Sequence, residues 1–201
     1  MSVPAYTPLQ RDALAELANI GCGQACTALG ALLGRVVDLS VPTVQALDLA
    51  DAVEALGPAE DVVTAVVLPT AGDMEAAVLL VFDQSDVARL GALLGVDPAD
   101  HEMAVSAMSE IGNILGANYL EALMAVAGIA AEPGPPMGLT DMRAALVSSA
   151  LASSTAALEA AILIDTRLSV EGEECSIAFV LLAGTDDIER LLQSVGLGTE
   201  A

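Results

Sequence analysis

Apolar and polar positions along the chain follow two periods in turn. Leu9, Leu14, Leu17, Ile20, Leu29, Leu32 and Leu33 recur at roughly helical spacing, which predicts a long helix over residues 9–34 with those side chains as its apolar face. Thr7-Pro8 marks its start and Gly34 its stop. The following VVDLSVPTVQAL is rich in β-branched residues and reads as an extended strand broken near Pro42. A short helix is predicted for DLADAVEAL. Two apolar strands, DVVTAVVLPT and MEAAVLLVF, flank Ala71-Gly72-Asp73 as a hairpin, and QSDVARLGALLG reads as a helix.

The same order then returns. Residues 99–127 predict a second long helix, followed by a Pro/Gly stretch (EPGPPMG) and a helix over 141–154. LEAAILIDTRLSV and CSIAFVLLAG are strands separated by the charged turn EGEE, and DDIERLLQSVG is the last helix. An internal duplication, with repeats at about 9–95 and 99–196 inside one domain spanning 1–201, is the simplest account. The expected class is α/β (α+β): a largely antiparallel sheet packed against helices, in two pseudo-symmetric halves, each with one long helix. LGALLG at 29–34 and 90–95 is out of step with that order and reads as two similar helix ends.

Composition narrows the partners. The chain is 55% hydrophobic but 2% aromatic, so Ala, Val, Leu and Ile must build the core. Its formal net charge is −22, and all six cationic side chains are Arg. Such a surface repels phosphate backbones and anionic lipid, which excludes nucleic acid and membrane surfaces as partners. High acidity without Lys suits a salt-rich cytoplasm, where ions screen self-repulsion. The midpoint of urea unfolding is therefore expected to rise with added KCl. The longest uncharged run, Leu17 to Gly34, holds Asn19, Gln24, Thr27 and four Gly and is too polar to span a bilayer. No basic flank with an apolar core opens the sequence as in a signal peptide, and a cytoplasmic location is expected. Cys22, Cys26 and Cys175 are odd in number, lack a CxxC spacing and have no nearby His, so they read as small buried residues rather than as a metal site.

The chemistry lies in a repeated constellation. The first long helix holds Asp12, Glu16 and Asn19, with Pro42 23 positions after Asn19; the second holds Ser106, Glu110 and Asn113, with Pro136 23 positions after Asn113. Each member of the second set follows its counterpart by 94 residues. Steps of four and three place the three helical residues on one narrow face, an acid beside an amide. Taken singly, each has a plain structural use: Asp12 favours a helix start, and the two prolines are ordinary strand-edge residues. A duplicated acid–amide pair has little packing use. The small residues after each amide, Gly21 to Gly23 and Gly116-Ala117, would let another surface approach closely. His101 reads as a polar residue in the first turn of its helix.

The pattern Asp/Ser, three residues, Glu, two residues, Asn, 22 residues, Pro resembles the signature of the CheC/CheX/FliY chemotaxis phosphatases. ELANIGCGQACTALGALLGRVVDLSVP and SEIGNILGANYLEAL resemble the CheC branch, with GCGQA where that branch has a GAGNA-like string. Two motif copies in one chain also suit that branch, as a monomer with pseudo-two-fold symmetry, whereas a CheX-like chain would carry one site and dimerise. The resemblance implies hydrolysis of the aspartyl phosphate of a phosphorylated CheY-like response regulator. Asn19 and Asn113 would orient the attacking water, and Glu16 and Glu110 would pair with a Lys of the partner. The chain would need no cofactor of its own, Mg²⁺ being carried by the response regulator. CheD, the receptor deamidase, is a further expected partner, and the competing reading is an adaptor for CheD with little catalysis. Together with the acidic surface, the resemblance implies a salt-loving archaeal source.

Overall fold

In the computed structural model, residues 6–40, 43–47, 49–152, 160–171 and 173–198 are described. The first half contains α1 (Pro8–Leu33), β1 (Val37–Leu39), β2 (Thr43–Leu47), α2 (Leu49–Ala55), β3 (Val62–Gly72), β4 (Ala76–Asp83) and α3 (Gln84–Leu93). The second contains α4 (His101–Ala127), β5 (Ala131–Pro133), β6 (Met137–Met142), α5 (Arg143–Ala152), β7 (Ala160–Val170), β8 (Glu173–Ala183) and α6 (Thr185–Ser194). The expected α/β class with an antiparallel sheet is what the structure has.

Capping chemistry sets the two long helices. Thr7 and Gln10 form a capping box ahead of α1, with Pro8 at the first position, and Gly34 closes it in the left-handed conformation (φ 61°). At α4 the Asp100 carboxylate accepts from Met103 N, and Gly128 (φ 65°) closes the helix. Gly128 follows Gly34 by 94 residues, so the repeat of the motif extends to the helix ends.

The inner face of α1 matches the apolar face expected at Leu14, Leu17 and Leu29 and differs from it elsewhere. Leu14, Leu17, Ala18, Gly21, Cys22, Ala25 and Leu29 are buried, while Leu9, Ile20 and Leu32 are exposed and Leu33 is half-buried. The reason is close packing of α1 on α4: a Cβ on Gly21 would lie 2.4 Å from Tyr119 Cδ2. Gly21, Ala18, Cys22 and Ala25 are therefore buried together with Leu14, Leu17 and Leu29, while Leu9, Ile20 and Leu32 lie outside.

The strands form one eight-stranded sheet in the order β1-β7-β8-β4-β3-β5, with β2 also paired to β7 and β6 to β3. Every pairing among the described residues is antiparallel. Exchanging equivalent strands of the two halves reverses this order and leaves it unchanged, with β4 and β8 at the centre. Each half's short strands pair with the long strand of the other half. Three of the scarce arginines also join the halves: Arg35 pairs with Glu171, Arg143 Nη2 donates to Asp83 Oδ1 at 2.8 Å, and Arg190 Nη1 donates to Asp73 O at 2.7 Å.

Both faces of the sheet are covered, so its central strands are apolar at successive positions. Val66, Leu68, Val78, Leu80, Ile177 and Phe179 face one core with α1, α3, α4 and α6. Val63, Ala65, Val67, Leu79, Val81, Val180 and Leu182 face the other, with Ala52 of α2 and Leu146, Val147 and Ala150 of α5. No helix of the described residues is long and apolar enough to cross a membrane.

Two sequence expectations need correction. The Pro/Gly stretch over 132–138 contains the end of β5 and the start of β6; Pro133 is tolerated because β5 lies at the edge of the sheet. The first hairpin turns later than Ala71-Gly72-Asp73, because β3 runs through Gly72. Thr70 Oγ1 holds the true turn by donating to Met74 O at 2.9 Å and accepting from Ala76 N at 2.8 Å.

Candidate functional site

Asp12, Glu16 and Asn19 are all exposed on α1, as are Ser106 and Glu110 on α4; Asn113 is half-buried. Among the described residues, none hydrogen-bonds or ion-pairs with the side chains of Glu16, Asn19, Glu110 or Asn113. An acid and an amide on adjacent turns, both unengaged, can receive a cation and hold a water from a second surface. The dipole reading of Asp12 loses its support, since the first turn of α1 contains no acidic residue.

Each motif proline belongs to the segment linking two short strands beside its own helix. Pro136 lies half-buried between β5 and β6, and both strands touch α4. That link is held where Gly134 N donates to Pro69 O at 2.7 Å. Pro42 lies outside the described residues; β1 and β2, on either side of it, touch α1.

The small residues near the amides act inward rather than outward. Gly21 takes the Tyr119 ring. A Cβ on Gly112 would meet Val66 Cγ1 at 2.7 Å, and one on Gly116 would meet Leu68 Cδ1 at 2.9 Å. Gly23 alone among these faces open space, and is exposed. Their main role is to bring the motif helices close to each other and to the sheet, which holds the two acid–amide faces at a set separation.

The cysteines sit behind this surface. Cys22 and Cys175 are buried and in no disulfide, and Cys26 is half-buried, more open than expected. Burial, and then neighbouring Cys26, pushes the Cys22 thiol up to about 12; burial and Asp38 push Cys26 to about 11. Burial, with Glu189, also raises the Tyr6 phenol to about 12. In the unfolded chain these groups ionise near their ordinary values of 9.0 and 10.0. The folded chain then holds more protons than the unfolded one, so this stability is intact below about pH 9 and is lost as pH rises towards 12. Urea midpoints are expected to fall across that window, and to fall less steeply in Cys22→Ala. An equal slope in the variant would count against burial of the thiol as the cause. Among the described residues, no three His, Cys, Asp or Glu side chains come together as a metal site. His101 opens α4 and is exposed, as expected.

The structure defines a mixed α/β protein with paired motif helices on an antiparallel sheet, the fold of FliY and CheC. The CheC-like family matches residues 9–45, which include Asp12, Glu16, Asn19 and Pro42. The CheY-P phosphatase CheC of Bacillus subtilis (strain 168) is 29% identical over 197 residues, 93% of this chain and 94% of that protein. The crystal structure of Thermotoga maritima FliY superposes with a TM-score of 0.78 at 20% identity, covering 96% of this chain and 98% of that one. The CheX–CheY–BeF3–Mg²⁺ complex from Borrelia burgdorferi gives a TM-score of 0.50 at 17% identity, covering 82% of this chain and 96% of that one. Together these matches support the CheC/CheX/FliY family.

Proposed function

We propose that this chain is a CheY-P phosphatase of the CheC type, acting on the aspartyl phosphate of a response regulator. The observation that carries the reading is the pair of unengaged acid–amide faces, repeated at 94 residues on the two helices. The similarity to a named CheY-P phosphatase over 93% of the chain supports it, as does a fold shared with a CheX crystallised with CheY, BeF3 and Mg²⁺.

An acyl phosphate is already activated, so the chain need supply no nucleophile of its own. The Asn19 or Asn113 amide donates to and accepts from one water and aims its oxygen at phosphorus. The new O–P bond forms as the bond to the partner's aspartyl oxygen breaks, leaving a carboxylate and inorganic phosphate. Glu16 or Glu110 pairs with a cationic Lys of the partner and sets the docking register. Mg²⁺ carried by the partner would neutralise charge on the transferring oxygens. Asp12 and Ser106 meet the partner one turn earlier on each face. Pro136 sits in the strand link beside α4.

Phosphate loss from a phosphorylated CheY-like regulator is expected to accelerate when this chain is added in the presence of Mg²⁺. A rate equal to that of the regulator alone, with and without CheD, would leave only the adaptor reading.

A further inference from the structure

The outward stripe of each motif helix begins one turn before the motif. Leu9 is 62% exposed and Met103 is 52% exposed. Met103 follows Leu9 by the same 94 residues that separate the two motif copies. Leu9, Asp12, Glu16 and Asn19 step by three, four and three, as do Met103, Ser106, Glu110 and Asn113. At 100° per residue each set lies within about 80° of arc. A single exposed Leu means little. A large apolar side chain at the same exposed place in both copies is harder to attribute to chance, because the first turn of a helix favours acids and this chain has 28 of them.

Exposure alone does not select this pair. Leu32 and Val126, 40% and 44% exposed, are also 94 residues apart. They lie near the other ends of their helices, about 200° round from Asp12 and Ser106 at 100° per residue. Leu9 and Met103 are continuous with the acid–amide face, and Leu32 and Val126 are not.

We propose that Leu9 and Met103 are the apolar anchors of the two docking sites, each seated on an apolar patch of the phosphorylated response regulator. The proposal rests on the phosphatase reading. It specifies the partner's surface: a rise of 1.5 Å per residue puts the patch about 10 Å from the cation that meets Glu16 or Glu110 and about 15 Å from the phosphoryl group. The anchor touches no reacting atom, so it acts on binding and leaves the chemical step alone.

The test reads each site separately. Leu9→Ala is measured in an Asn113→Ala background and Met103→Ala in an Asn19→Ala background, with KM and kcat for regulator dephosphorylation and the melting temperature recorded. Each is expected to raise KM about tenfold with kcat unchanged, the effect of removing about 1.4 kcal/mol of binding. Leu9→Met and Met103→Leu should keep KM near its starting value, and Leu32→Ala and Val126→Ala should leave both constants unchanged. An active wild type whose KM does not respond to Leu9→Ala or Met103→Ala overturns the anchors and spares the phosphatase. A kcat loss at constant KM also overturns them. A wild type with no activity overturns both.

Discussion

Replacing Asn19 and Asn113 together by Ala is expected to remove the acceleration of phosphate loss, by about 10²-fold or more, without moving the melting temperature. The size follows from the amide's proposed task. A water held in line is worth about two orders of magnitude when its positioning is lost, and more where the same group also steadies developing charge. The unchanged stability follows from the structure. Both side chains are free of internal hydrogen bonds among the described residues, and Asn19 is exposed. Surface substitutions of that kind shift stability by less than about 0.5 kcal/mol. The single variants should each keep activity, to unequal extents. The copies differ in Asp12 against Ser106, and Asn113 is more covered than Asn19. Equal residual rates in the two single variants would refute that inequality, and a double variant as fast as wild type would remove the amides from the mechanism.

Tyr119→Ala should lower the free energy of unfolding by about 3–5 kcal/mol, the range for losing a buried aromatic side chain. In a chain of this size that corresponds to a fall of about 10 °C in melting temperature. Tyr119 is 2% exposed and is among the largest fully buried side chains. Its ring sits against Phe179, with centroids 5.7 Å apart and planes at 55°. Two of the four aromatic residues of the chain therefore meet at one point. The other wall of the ring's slot is Gly21, where a Cβ would come within 2.4 Å. Gly21→Ala overpacks that slot and should cost about 1–3 kcal/mol. Combining Gly21→Ala with Tyr119→Leu should cost less than the sum of the two single effects, because the smaller side chain makes room for the new methyl. Strict additivity in urea titrations would show that the two residues do not share the slot. Activity should fall with Tyr119→Ala as well, since this contact spaces the two motif helices.

The local signals along the chain were strong where chemistry is local. Thr7-Pro8 and Gly34 delimited α1 because capping involves residues within one turn. The hairpin strands β3 and β4 were visible as apolar runs, although the turn moved to follow Gly72 and the Thr70 hydroxyl. The Pro/Gly stretch concealed β5 and β6 because proline is compatible with a strand only at a sheet edge, and edge position is a property of the whole sheet. The apolar face of α1 was legible in part: Leu14, Leu17 and Leu29 are buried as expected, but Leu9, Ile20 and Leu32 are exposed, and Ala18, Gly21, Cys22 and Ala25, which share the buried face, are too small to stand out in an apolar pattern.

By itself, the sequence determined the 94-residue repeat of the four-residue constellation, the α/β class and the two long helices, since all of these are matters of spacing along one chain. Only the tertiary structure decided that the short strands of each half pair with the long strand of the other. It also decided that Gly21, Gly112 and Gly116 face inward and that Leu9 and Met103 face outward. Which side of a helix is buried depends on what packs against it: here α1 meets α4 where Gly21 takes the Tyr119 ring, which leaves the acid–amide stripe and its apolar neighbour on the outside.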